Sequence, residues 1–241
     1  MVGGAIAKKV NDKVLMQAKN APKDKIIQES FDAGYTLPKS LYDPSFKNNL
    51  VESFGGKAAT LQQASAKNQG VTNDLARKAL GVGDDVPLSM STIDSVRKDA
   101  YKPYQEIASL SKGADNALQE LKQARADSNA WFNSYNRSAN PEHLAKAQEF
   151  KSVADIAENV LEDYAKAADK PELITQLAKA RKTIAKSYTV ERAMNKSSGD
   201  IDARVLGRLY DKNKPLSDGL DTIGKFNAAF PKASQPTQMS K

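Results

Sequence analysis

The chain has 241 residues, 40% of them hydrophobic and many of those alanine, with 36 Lys and Arg against 29 Asp and Glu and a net charge of +7. It holds no cysteine and a single histidine, His143. Disulfides, thiolate metal sites, cysteine nucleophiles and multi-imidazole zinc sites are thereby excluded, leaving only carboxylate sites open. This length allows one or two domains.

The first residues, Met1-Val2-Gly3-Gly4-Ala5-Ile6-Ala7-Lys8-Lys9, have too few apolar residues and no charged leader before them, so no signal peptide is expected. The residues over about Ile6–Lys19 suit a helix and a frayed arm equally. Pro22 and Asp24 open a short helix to about Phe31, which Gly34 stops and Pro38 follows with an extended turn. A helix follows over about Lys47–Lys67, carrying Gly55-Gly56. Thr72 then caps a short helix over Asn73–Leu80, stopped by Gly81. Gly81-Val82-Gly83 and the residues to Pro87 read as a loop, placing an architectural boundary near residue 90.

The central stretch 91–195 carries the clearest periodicity. Ser91 or Thr92 caps a helix with Ile93, Val96, Ala100, Tyr104, Ile107 and Leu110 on one stripe. A second helix runs over about Ala114–Tyr135, with Leu118, Leu121, Ala124, Ser128, Trp131 and Tyr135 inward. Asn140-Pro141 supplies a cap and a first-turn proline for a third helix to about Ala168, with Leu144, Ala147, Val153, Ala157, Val160, Leu161 and Tyr164 inward. A fourth runs from Pro171 to about Met194, with Leu173, Leu177, Ala180, Ile184 and Tyr188 inward. Short connections make neighbouring helices antiparallel. The expected fold class is therefore all-α: an elongated antiparallel helical bundle with smaller helical N- and C-terminal parts.

In residues 196–233, Asp200 caps a helix to about Asp211, Pro215 breaks it, and a last helix runs over about Ser217–Phe230. From Pro231 the chain is small, polar and proline-bearing, and a mobile tail is expected, with 234–241 lying outside the helical parts. The segments are thus an N-terminal short-helix region 1–90, the bundle 91–195, a C-terminal helical hairpin 196–233 and the tail. No stretch is apolar enough to cross a membrane.

Candidate chemistry fails motif by motif. Gly81-Val82-Gly83 lacks the third glycine, strand and Lys-Ser pair of a phosphate loop, and Gly55-Gly56-Lys57 lacks the upstream glycine. Asp155, Glu158, Glu162 and Asp163 share a helix with lysines and arginines close by, and read as a solvated, ion-paired face. His143 has no nucleophile and orienting acid in a motif. No cofactor is expected, and the chain reads as a non-enzyme. Trp131, Phe132 and Tyr135 at helical spacing read as core or subunit interface. Lys179, Lys182 and Lys186 share one helix face and are the candidate nucleic-acid contact. The charge is spread thinly, at +3 over 1–90, +1 over 91–195 and +3 over 196–241, so weak, salt-sensitive contact with DNA or anionic lipid is allowed but not demanded.

Two groups of strings resemble a known family. The first is Ala33-Gly34-Tyr35-Thr36-Leu37-Pro38, with Gly55 to Ser65 and Asn68-Gln69-Gly70-Val71-Thr72-Asn73. The second is Ala180 to Glu191, with Gly199-Asp200-Ile201-Asp202-Ala203, Lys214-Pro215-Leu216 and Phe230-Pro231-Lys232-Ala233. Together, over about residues 31–233, they are similar to helical virion-associated proteins of tailed bacteriophages and prophages. The resemblance implies a tail-associated, internal or DNA-ejection protein located in the virion, a homo-oligomer with contacts to other virion proteins. It carries across no functional residues. Tyr35, Pro38, Gly55, Gly56 and Asn68, then Trp131 and Tyr135, are the candidate protein-interface positions.

Overall fold

A computed structural model describes residues 23–42 and 54–234. The fold is all-α. Among the described residues there is no strand, only one isolated antiparallel bridge between Met194 and Ile201. The stretch 6–19 and the tail 235–241 lie outside the described residues. The helices are α1 (residues 23–32), α2 (Lys39–Tyr42), α3 (Phe54–Leu80), α4 (Met90–Ala100), α5 (Lys102–Ala108) and α6 (Lys112–Ser138). They continue with α7 (Pro141–Ala167), α8 (Pro171–Ala193), α9 (Ala203–Asp211), α10 (Gly219–Ala229) and α11 (Pro231–Ser234).

These elements fall into two compact units. One combines Met1–Ile93 with Lys186–Lys241, and the other is Asp94–Ala185. The N-terminal region and the C-terminal hairpin, separate in the sequence reading, are therefore parts of one unit, and the central segment is inserted between them.

In the inserted unit, α6 and α7 run antiparallel. Arg125 meets Glu158 and, nearer the connection, the Ser128 hydroxyl donates to the Ala147 carbonyl at 2.8 Å. The turn works as the residues demand: the Asn140 side chain accepts from Glu142 N, Pro141 occupies the first turn, and Ala139 closes α6 in the left-handed region at φ 53°. Leu118, Leu121, Leu161, Leu173 and Leu177 fill the core with Ile107 and Ala117, Ala154, Ala157 and Ala165. The alanines on facing helices allow close approach, and each buried leucine contributes roughly 2 kcal/mol. Val160 and Tyr188, predicted inward, are exposed instead. On α7 the buried stripe runs through Ala157, Leu161 and Ala165, with Val160 at its edge; on α8 it runs through Ile184, Ser187 and Val190, so the predicted step of four from Ile184 to Tyr188 leaves the 3.6-residue period.

The helix predicted through Leu110 is broken into α4 and α5. Pro103 has no N–H for the Asp99 carbonyl and its ring crowds that turn. Its cap is Ser89 and not Ser91 or Thr92: the Ser89 hydroxyl accepts from Thr92 N at 3.1 Å.

In the other unit, the predicted break between Lys67 and Asn73 does not occur, and α3 is continuous. Its buried stripe is Ser65, Asn68, Thr72 and Ala76. Small and polar residues at helical spacing make this stripe, and each polar one finds a partner. Asp202 caps α9 by accepting from Arg204 N at 2.9 Å. Asp200, the predicted cap, instead accepts from the Asn73 side chain at 2.9 Å. Pro231–Ser234 is not a loose tail start: it forms α11, with Ala233 and Ser234 buried. Ser234 is held by Asn227 and by the Pro231 carbonyl.

Candidate functional site

Four of the strings that carried the family resemblance, at 33–38, 68–73, 199–203 and 230–233, meet in one place. Asn68 is fully buried on α3. Its side-chain oxygen accepts from Thr36 N at 2.7 Å, and its amide nitrogen donates to the carbonyls of Thr36 and Ala233, each at 2.8 Å. One turn on, Thr72 shares a hydrogen bond with the Tyr35 hydroxyl at 3.0 Å. The Tyr35 ring stacks on Phe226, with centroids 3.8 Å apart. Gln69 donates to the Ile201 carbonyl, and the Asn73 side-chain oxygen accepts from Ile201 N, both at 3.0 Å. The polar residues of α3 thus stitch the 34–38 turn and the 200–203 and 231–234 segments to one helix.

This geometry moves several candidate interface positions inward. Tyr35 and Asn68 are spent on contacts within the unit and have no surface to offer a partner. Pro38 is half-buried beside them, and Gly55 and Gly56 lie within α3 at the edge of the described residues. Burial drives the Tyr35 phenol well above its ordinary value, and the Thr72 hydrogen bond offsets only part of that rise.

Trp131 and Tyr135 are half-buried near the end of α6. The Trp131 ring lies 5.3 Å from the His143 ring and 5.4 Å from Lys146 Nζ. His143 Nδ1 is 2.9 Å from the Ser138 hydroxyl. These side chains hold the α6–α7 turn together, and among the described residues no acid bonds the imidazole.

Glu158 corrects the reading of its helix as a solvated face. It is buried, bonded to the Tyr104 hydroxyl, 2.9 Å from Arg125 and 3.6 Å from Arg181. Arg181 also meets Glu162 at 2.5 Å. Sequence reasoning missed it, although the signal was present: Glu158 lies four residues after Ala154 and three before Leu161, on the core stripe. Burial raises the Tyr104 phenol, and the adjacent Glu158 carboxylate raises it further. Burial disfavours the Arg125 charge, but Glu158 and Tyr104 more than compensate and leave its pKa raised. A carboxylate held between two guanidiniums and a phenol is neutralised and fully bonded, an arrangement that fixes helix register and leaves no free base. Every buried side-chain polar atom among the described residues has a hydrogen-bond partner.

Among the nucleic-acid candidates, Lys179 and Lys182 are exposed on α8, but Lys186 is paired with Asp218 and only 18% exposed. The three do not form one free face. No group of three or more acids and histidine among the described residues is placed to hold a metal ion. No described helix is long and apolar enough to cross a membrane. Comparison with protein-family models, curated proteins and solved structures finds no match to the chain.

Proposed function

We propose that this chain is a structural or assembly component of a tailed-bacteriophage particle, tail-associated, internal or ejected with DNA, acting through helix-mediated protein contacts. The observation that carries the reading is the junction at Asn68. Four of the strings that resemble virion-associated helical proteins, at 33–38, 68–73, 199–203 and 230–233, are far apart in sequence, yet their residues bond to one another in a single unit. Strings that serve one packed unit support a shared domain more strongly than isolated matches would.

In this reading the inserted unit is an elongated antiparallel bundle that presents helix faces to other copies and to neighbouring virion proteins. Ile156 and Val160, one turn apart on α7 and 62% and 38% exposed, supply apolar surface for such contacts. The protein works as a homo-oligomer located in the virion and performs no catalysis. Mass spectrometry of purified particles tests the proposal. The chain is expected at a defined copy number, and its absence from particles whose genome encodes it would sink the reading. Light scattering of the purified chain tests the oligomer, and a strict monomer at high concentration would remove that part.

A further inference from the structure

Arg192 near the end of α8, with Val205, Arg208, Leu209 and Lys212 from α9 and its end, surrounds a recess of about 250 Å³. Three cations line it and no carboxylate does. The acids of these elements are committed elsewhere: Asp202 to Arg204, Asp200 to Asn73, Asp218 to Lys186 and Asp221 to Lys225. Asp211, at the end of α9, is outside the lining, and Glu191 has its own partner. No ion pair or side-chain hydrogen bond within the described residues involves Arg192, Arg208 or Lys212. One cation at each helix end would answer the macrodipole. Three converging from two elements on an acid-free concavity go beyond that need.

Size and chemistry narrow the ligand. Pockets for drug-sized molecules run from about 300 to 1,000 Å³, so this recess suits a smaller group. Guanidiniums recognise phosphate through paired N–H donors, and a lysine adds a point charge. Tyr188, four residues before Arg192 on the same helix face, is 53% exposed, one helical turn outside the recess lining. An aromatic next to a basic groove is the arrangement that stacks unpaired bases while the phosphates are gripped.

We infer that the recess at Arg192, Arg208 and Lys212 is a phosphodiester-binding site through which the protein holds a single nucleic-acid strand. The inference does not rest on the virion reading, because it concerns a strand bound in solution by the isolated chain.

The test is fluorescence anisotropy of the full chain with a labelled oligothymidylate over a sodium chloride series. Three phosphate contacts give a slope of log affinity against log salt of about −2. Arg192→Gln, Arg208→Gln and Lys212→Gln together are expected to lower low-salt affinity at least about tenfold and to flatten that slope toward zero. Each single substitution flattens it by about one contact, which decides the matter should the triple variant fail to fold. Arg192→Lys with Arg208→Lys keeps the slope, and Lys179→Gln with Lys182→Gln leaves binding unchanged. The proposal is overturned if the wild type does not bind at low salt, or if the single and triple variants keep the wild-type slope. It is equally overturned if polyglutamate or inorganic phosphate displaces the strand as well as unlabelled oligothymidylate does.

Discussion

Asn68 donates a hydrogen bond to the Ala233 carbonyl across 165 residues of sequence, and both residues are fully buried. Because the same side chain also bonds both polar groups of the Thr36 backbone, one amide fixes three segments. An asparagine fits here because its side chain both donates and accepts.

Asn68→Ala is expected to destabilise its unit by about 3 kcal/mol, through three lost hydrogen bonds and the buried groups left unsatisfied. Asn68→Asp, nearly identical in shape, should cost at least as much, since it faces two carbonyl oxygens with an acceptor. Urea unfolding followed by near-ultraviolet dichroism measures both. A loss below about 1 kcal/mol for both variants would show that the network is incidental.

At the Glu158 cluster, removing the carboxylate should cost more than removing the phenol that bonds it. Glu158→Ala leaves two guanidiniums without their buried partner. Arg125 and Arg181 are 31% and 35% exposed, so water recovers part of the loss, and about 2–3 kcal/mol is expected. Tyr104→Phe should cost about 1 kcal/mol. A double-mutant cycle on the two positions should show coupling, and additive losses would contradict the geometry.

Alkaline pH should unfold the protein through Tyr35 and Tyr104. Both phenols are raised above their ordinary value of 10.0 in the folded chain, chiefly by burial. Above that pH the unfolded chain releases these protons while the folded chain keeps them. Stability is therefore full below about pH 10 and falls as pH rises beyond it. Absorbance titration should show Tyr35 and Tyr104 ionising only as the fold is lost. Removing both by Tyr35→Phe and Tyr104→Phe should flatten the alkaline decline.

Two left-handed positions should respond with opposite sign. Gly199 has φ +78°, and an added Cβ there would collide with the Leu88 backbone oxygen. Gly199→Ala is expected to cost about 3 kcal/mol, from backbone strain and the displaced Leu88 loop. Ala139 has φ 53° at an exposed helix end. Ala139→Gly relieves that conformation and should stabilise by about 1 kcal/mol. Thermal melts rank the three proteins, and the opposite order would refute the assignment.

Much of the local structure was legible. Asn140-Pro141 announced the start of α7, and Leu118, Leu121, Leu161 and Leu177 marked the inner faces of their helices. What misled was polarity inside helices. Thr72 has the side chain of an N-cap residue, yet it sits mid-helix because Tyr35 satisfies its hydroxyl. Glu158 was assigned to solvent by its charge, although its spacing put it on the buried stripe. Long-range closure left no local trace at all: nothing in the sequence around Asn68 specifies Ala233, and the pairing follows only from packing. The cations of the recess were likewise hidden, because Arg192 belongs to one helix and Arg208 and Lys212 to another.

The insertion of Asp94–Ala185 between the two halves of the other unit sets an order on folding during synthesis. The inserted unit is complete in sequence before the C-terminal half of its host leaves the ribosome. Tyr35 and Thr36 precede α3 in the chain, but Asn68 must wait for the Ala233 carbonyl and the Tyr35 ring for Phe226. At about 5–20 residues per second that wait is on the order of ten seconds. A buried stripe made of serine, asparagine and threonine is well hydrated over that interval, where leucines in the same places would recruit unwanted partners.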